Sequence, residues 1–345
     1  MLAALPLALA ACGGGHGPTS PNDNNPFGLT TTGPGVLSVS PLDTATVYAA
    51  SPLGNLGPPG HVLPTDHVYI SFVNPWSGQQ QNNDCRARPV YAAGSGVVVF
   101  ILVTEAAGDT KVEIQMTKTF HYYYDHVLLL PSIRLGSRVN AGDPIATTTG
   151  RCPSMDLGVY DEDVTISRIV NAARYGPSTL HAASSYKYFT PALRDFYYSR
   201  ARVFEGVPAD KDGRIDWSVS GRLVGDWFHS SLTGASYAAS TGSMDGWTRT
   251  IGFVYDWYDN SPRISIGGTV TTAGVLKPAP TDPDPANVNT ASGIVAYQGT
   301  PKIGQIAAGW MLVQMIASDR IKVEYFAGAT SRPAAFTGAA QEYVR

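Results

Sequence analysis

The sequence predicts a mostly β protein built as an antiparallel β domain followed by a second β-sandwich or small-barrel domain. Three observations predict it. At 345 residues the chain exceeds what one compact core usually holds, so two domains with linkers is the natural division. With 36 Gly, 25 Pro and 18 Tyr but 15% charged residues, the composition favours many short strands and turns over long amphipathic helices. In both halves, runs of β-branched and aromatic residues recur between Gly, Asn, Asp and Pro clusters. A formal charge of -3 and a pI near 6.1 give no basic field of the kind that draws nucleic acid.

The chain opens with MLAALPLALAAC, an apolar run too short to span a bilayer, followed by the polar, Gly/Pro/Asn-rich stretch 13–36, expected to be a disordered tether. Residues 37–183 hold the first β domain. HVYISFV (67–73), PVYAAGSGVVVFILV (89–103), KVEIQMT (111–117) and YYYDHVLLL (122–130) read as strands, and the glycines of RLGSRVNAGDPIATTTG (134–150) mark tight turns between short strands. Residues 184–214 read as a helical connector, with a helix opening at Thr190-Pro191: Thr suits an N-cap and Pro the first helical position. From 215 to 345 strand patterns resume, and the Pro/Asp-rich stretch 277–289 is expected to be a mobile surface loop. The acids Asp161, Glu162 and Asp163 read as a solvated turn.

Leu9-Ala10-Ala11-Cys12 resembles the lipobox of bacterial lipoproteins, which implies removal of residues 1–11, a lipid on Cys12 and a place in the cell envelope at a membrane. The two remaining cysteines, Cys85 and Cys152, form an even pair that an exported, oxidising compartment favours joining in a disulfide. Gly225 and Trp227 in GRLVGDWFHSSL have the spacing seen in the opening strand of calycin-like barrels.

PVYAAGSGVVVF, VEIQM, YYYDHV and RLGSRVNAGDPIATT, in that order, resemble the lysostaphin-type (LytM-like) zinc endopeptidases with the duplicated-hybrid-motif fold. The resemblance covers about 61–160. It implies a groove that engages peptidoglycan and a zinc ion whose fourth position carries an activated water. It places His61 and Asp66 at the first two ligand positions, with His67 as an alternate to Asp66, and gives His126 of Tyr124-Asp125-His126 a catalytic role. In the last motif Ser154 stands where the family has a catalytic His, and Asp156 where it has a ligand His. A site of one imidazole and two carboxylates suits zinc less well, and serine is no general base near neutral pH. The chain is therefore expected to bind or regulate at peptidoglycan or another envelope polymer. The alternatives are a metallohydrolase with a rearranged site built from His61, Asp66 or His67, His126 and Asp156, and an assembly lipoprotein that binds protein partners.

Strand alternation adds two expectations. If residues 66–73 form one strand, Asp66 and His67 point to opposite faces and cannot both serve one site. In HYYYDH, His121, Tyr123 and Asp125 alternate against Tyr122, Tyr124 and His126, so His126 shares the groove face with Tyr124, which is either core or groove wall. His121 is expected to be a strand-edge residue and Asp125 to be solvated.

Overall fold

The computed structural model describes residues 25–75, 85–103, 108–149, 153–232 and 245–345. Its first unit is a mainly antiparallel sheet and its second a closed eight-stranded barrel. The sheet runs from β1 (Ala49–Ala50) through β2 (Val68–Ser71), β9 (Ser154–Asp161), β6 (Phe120–Leu129), β5 (Thr110–Gln115) and β4 (Gly96–Val103) to β7 (Arg138–Val139). Beside this path, β3 (Pro89–Tyr91) pairs with β8 (Pro144–Thr148), β8 joins β6, and β10 (Ala182–Ala183) joins β9.

The two faces of this sheet differ in chemistry. Val68, Ile70, Val112, Ile114, Tyr122, Tyr124, Met155, Leu157 and Val159 fill the core with little or no exposure. Tyr122 and Tyr124 satisfy their hydroxyls there, donating to the carbonyls of Gly94 and Tyr91, each at 2.8 Å. Tyr124 is thus a core residue and not a groove wall, because its hydroxyl is tied to backbone. The opposite face carries Tyr69, Lys111, Glu113, His121, Tyr123 and Asp156, which the cross-strand register aligns. His121 is 4% exposed: its Nδ1 meets Glu113 at 2.9 Å and its ring stacks on Tyr160. It is therefore a buried partner, not an edge residue.

The predicted helix is α2 (Pro191–Ser199), with Thr190 at the N-cap. Tyr186 and Tyr197 stack in this connecting region and close the core from outside. Asp161 is also buried, accepting from the Tyr188 hydroxyl at 3.0 Å, so the 161–163 run is not simply a solvated turn.

The barrel is a meander of β11 (Gly225–His229), β12 (Thr250–Tyr255), β13 (Pro262–Ile266), β14 (Gly274–Pro278), β15 (Ile294–Gly304), β16 (Gly309–Ala317), β17 (Arg320–Ala327) and β18 (Gln341–Val344). It closes where Phe228 and His229 pair with Val344 and Tyr343. Full closure leaves no sheet edge to aggregate. Trp227 sits at one end, fully buried, with its Nε1 donating to the Leu223 carbonyl at 2.7 Å. The Arg345 guanidinium lies 3.9 Å over that ring and donates to the carbonyls of Val219, Leu223, Val224 and Asp226. The 277–289 stretch is anchored there too: Val288 is 2% exposed, and the Pro285 and Val288 carbonyls accept from Val224 and Leu223. It serves as a fixed end cap, which corrects the expectation of a mobile loop.

Barrel and sheet meet through two segments that border the polar face of the sheet. Val62 and Leu63 approach Gly252 of β12. In the second segment the Tyr175 hydroxyl donates to Asp226 at 2.5 Å, and the Arg174 guanidinium covers the Phe228 ring at 4.6 Å.

Candidate functional site

The site assembles on the polar face where β2, β9 and β6 run side by side. Asp156 is the centre: in register it lies opposite Tyr69 on β2 and Asp125 on β6. It is 3% exposed. Its Oδ2 lies 3.3 Å from His67 Nε2 and 3.7 Å from His126 Nε2. Its Oδ1 is buried with no hydrogen-bond partner.

Each imidazole is oriented from behind by a second carboxylate. His67 Nδ1 meets Asp66 Oδ1 at 3.2 Å, and His126 Nδ1 meets Asp109 Oδ2 at 2.8 Å. A carboxylate on one ring nitrogen fixes the tautomer and aims the other nitrogen, the usual arrangement behind ligating histidines. Asp66 is itself held by Tyr123, which donates to Oδ1 at 3.2 Å, and by Thr179 of the short helix α1 (Pro177–Leu180), which donates to Oδ2 at 2.5 Å. Both of its oxygens are thereby engaged in orienting His67. Of the two alternates at the second position, His67 is the one that faces Asp156, while Asp66 orients it and His61 lies beside it.

Two local departures from regular strand explain why alternation misplaced these residues. β2 begins only at Val68, so Asp66 and His67 lie in the turn before it and are not bound to opposite faces. In β6 the pairing with β5 jumps from Val112↔Tyr124 to Thr110↔Val127, so Asp125 and His126 together oppose Lys111. His126 absorbs the extra residue with φ 61°, a left-handed conformation uncommon outside glycine. The bulge turns His126 onto the face of Tyr123 and Asp125, away from Tyr122 and Tyr124. Asp125 Oδ1 accepts from the His126 amide at 2.8 Å, so this acid is half-buried and caps the bulge.

Tyr123 reaches Asp66 by crossing β9 above Gly158. A Cβ at Gly158 would lie 2.1 Å from Tyr123 Cζ, so only glycine leaves room for the ring. On its other side the ring carries Lys111 Nζ at 3.8 Å, a close cation–π contact. His61 lies behind His67, ring centroids 5.5 Å apart, and on its far side faces Trp247 of the barrel helix α3 (Asp245–Thr248) at 5.6 Å. Ser154 stands two residues before Asp156 on β9, opposite Ser71, and brings no imidazole. Among the described residues, the three ligating side chains whose atoms all lie within 4.8 Å of one another are Asp109, Asp125 and His126, a group that does not include His67 or Asp156; the two acids there hold the His126 ring and amide.

The electrostatics follow from this crowding. Burial opposes charge on both imidazoles, yet Asp156 with Asp66 holds His67 above the usual histidine range, and Asp156 with Asp109 and Asp125 does the same for His126. Burial raises Asp156, and the two imidazoles only partly offset it. Burial would raise Asp66 as well, but the His67 hydrogen bond and charge, helped by Lys111 and Thr179, keep it below the ordinary carboxylate range. His61 is pushed down to about 3, by burial first and then by His67, so it stays neutral. Burial and Asp156 keep the Tyr69 phenol protonated; its hydroxyl lies 3.3 Å from His67 Nε2.

No protein-family model and no curated protein matches the sequence. Several solved structures are similar over part of the chain. Csd3 of Helicobacter pylori is 21% identical over 47% of this chain and 39% of its own, with a TM-score of 0.28. A zinc-containing peptidase from Vibrio cholerae is 20% identical over 37% of each chain, TM-score 0.26. The catalytic domain of the antimicrobial peptidase lysostaphin from Staphylococcus simulans is 19% identical over 38% of this chain and 83% of its own, TM-score 0.25. The chain thus spans about two fifths or less of the Csd3 structures it matches. At this level of similarity none of them assigns an activity to it.

Sequence reasoning missed Asp109, Tyr123 and Thr179, which touch the site through partners 17, 57 and 113 positions away. Only Gly158, unexpected inside an apolar strand, signalled that a bulky neighbour crosses there. Cys12 and Cys152 lie outside the described residues.

Proposed function

We propose that this chain is a lipid-anchored protein of the cell envelope whose first unit is a rearranged metal-dependent hydrolase domain acting on peptidoglycan. One observation carries the reading: Asp156 Oδ2 lies between His67 Nε2 and His126 Nε2, and each imidazole is backed by its own carboxylate. Two neutral imidazoles and one carboxylate suit zinc, and the buried, partnerless Asp156 Oδ1 is the kind of atom that a bound cation satisfies. His67, His126 and Asp156 would hold the ion, with neutral His61 beside them.

When bound, zinc lowers the pKa of its water enough to supply hydroxide near neutral pH. The chain's own residues prepare for this. Asp66 and Asp109 aim the two Nε2 atoms, Tyr123 and Thr179 fix Asp66, and the Tyr69 hydroxyl stays protonated as a donor beside them. His67 thus restores the imidazole lost at position 156, while Ser154 leaves the general base lost at 154 unreplaced, a role typically worth ~10²–10⁴-fold. Turnover is therefore expected to be slow.

The lipid anchor on Cys12 rests on the lipobox resemblance, and peptidoglycan as substrate on the four-block resemblance of residues 61–160. A Cys85–Cys152 disulfide belongs to the same proposal, as expected in an oxidising compartment. The test is digestion of purified peptidoglycan with zinc, alongside a chelated control and His67→Ala. Slow release of soluble fragments, abolished by both treatments, is expected. Peptidoglycan that is bound but never cleaved would return the domain to a binding or regulatory role.

A further inference from the structure

Residues 25–29 enter the first unit at its β7 edge and are fixed there. The Asn25 side chain accepts from the Leu29 amide and donates to the Leu29 carbonyl, each at 2.7 Å. Phe27 rests on Gly136, where an added Cβ would lie 3.1 Å from its ring. Gly136 belongs to the tight turn that leads into β7. In that turn the Ser137 amide donates to the Arg134 carbonyl at 2.9 Å, the Arg134 amide to Ser137 Oγ at 3.0 Å, and the Gly136 amide to the Val98 carbonyl at 2.8 Å. With the backbone so held, the side chains stand in solvent: Leu135 is 60% exposed, and Arg134 and Arg138 to either side of it are exposed as well. Neither guanidinium has a hydrogen bond or ion pair among the described residues. Asp143, the one acid within residues 130–143, is engaged by the Asn140 amide at 2.7 Å.

We infer that this turn docks on an anionic bilayer, with Leu135 entering the headgroup region and Arg134 and Arg138 meeting the lipid charges. An exposed apolar side chain between unpaired cations is the chemistry of an interfacial contact, and each cation near an anionic leaflet adds to the attraction. The occupant follows from where the chain arrives. Cys12 lies thirteen residues before Asn25, a reach of at most ~45 Å, and the segment it leads into is fastened beside this turn through Phe27. The choice of a bilayer therefore rests on the lipid anchor proposed above, while the metal centre plays no part in it. The consequence is positional. β9, which carries Asp156, is four strands from β7 across the sheet, so at ~4.8 Å per strand the docked edge keeps the histidine cluster roughly 20 Å away.

The test uses residues 12–345 carrying Cys12→Ala, so that neither the apolar leader nor a lipid directs the chain to membranes. Co-sedimentation is measured with phosphatidylglycerol vesicles, with phosphatidylcholine vesicles and with purified peptidoglycan at low ionic strength. Saturable binding to the anionic vesicles is expected, weakened at least about tenfold by Arg134→Gln/Arg138→Gln and about threefold or more by Leu135→Ser, with thermal unfolding unchanged in both. Arg202→Gln/Arg332→Gln removes the same charge from exposed positions elsewhere and should leave binding intact. Mass spectrometry of the native protein reads the lipid on Cys12 separately, so failure of the anchor and failure of the docking surface are told apart. Four results would overturn the assignment: no binding to the anionic vesicles, equal binding to both vesicle types, unchanged affinity in the Arg134/Arg138 variant, or equal loss in the control. Retention on peptidoglycan alone, abolished by the Arg134/Arg138 variant, would likewise give the surface to a polymer and not to a bilayer.

Discussion

Replacing Asp156 by Asn removes the negative charge between two imidazoles while keeping the volume, and its cost should depend on pH in a defined direction. Both imidazoles have folded-state pKa values above the usual histidine value. Their contribution to stability is therefore fully present below the unfolded pKa of ~6.5 and is lost as pH rises through the raised folded values. Asp156 is raised too, by burial, so its charge costs stability as pH climbs past ~3.9. That cost is recovered only while the imidazoles beside it are charged. At about pH 6 the Asn variant leaves the largely buried His67 and the half-exposed His126 facing an amide; breaking a fully buried pair costs ~3–5 kcal/mol, which solvent beside His126 reduces. Asp66 and Asp109 remain on the far nitrogens, which points to the lower end, about 3 kcal/mol. At the alkaline end, about pH 10, to whatever extent pH has passed the raised folded values, the variant exchanges a buried carboxylate beside neutral imidazoles for an amide, and the cost falls toward ~1 kcal/mol or less. Urea unfolding of both proteins with chelator present, followed at the two pH values, measures the difference. A penalty that is the same at both, or larger at high pH, would refute the charge arrangement.

Gly158→Ala should cost ~2–5 kcal/mol, because the new methyl displaces the Tyr123 ring and breaks its bond to Asp66; unfolding curves within error of wild type would show that Tyr123 does not cross there. Arg345→Met should cost ~2–4 kcal/mol by stripping the donors from buried carbonyls around Trp227. It should also alter the near-ultraviolet dichroism of that ring, and an unchanged spectrum would count against the stacking.

Much of the fold could be read in the sequence because turns and strand runs are local. Gly136 and Gly142 sit at φ 83° and 90°, where only glycine is relaxed, so the short strands β7 and β8 between such turns follow from spacing alone. Thr190-Pro191 fixed the start of α2 for the same reason. The barrel showed only through its strand count and the Gly225/Trp227 spacing, since closure depends on β11 meeting β18 more than a hundred residues later. The site was harder. His61, Asp66, His67, His126 and Asp156 were all named, and they do gather on one face. The faces of His67 and His126 did not follow from alternation, which assumes regular strand, and regularity fails at both ends of this site: before Val68, and at the Asp125–His126 bulge. Tyr122 and Tyr124 went to the core once that bulge reversed the face, and Asp109 could not be foreseen, because only the β5–β6 pairing brings it to His126.

The central claim is that His67 supplies the imidazole missing from position 156, and equilibrium dialysis against zinc followed by metal analysis tests it most directly. Wild type is expected to retain one zinc per chain near neutral pH, and both His67→Ala and His126→Ala should lose it, while Ser154→Ala keeps it. Full zinc retention by His67→Ala, or no zinc bound by wild type, would contradict the account.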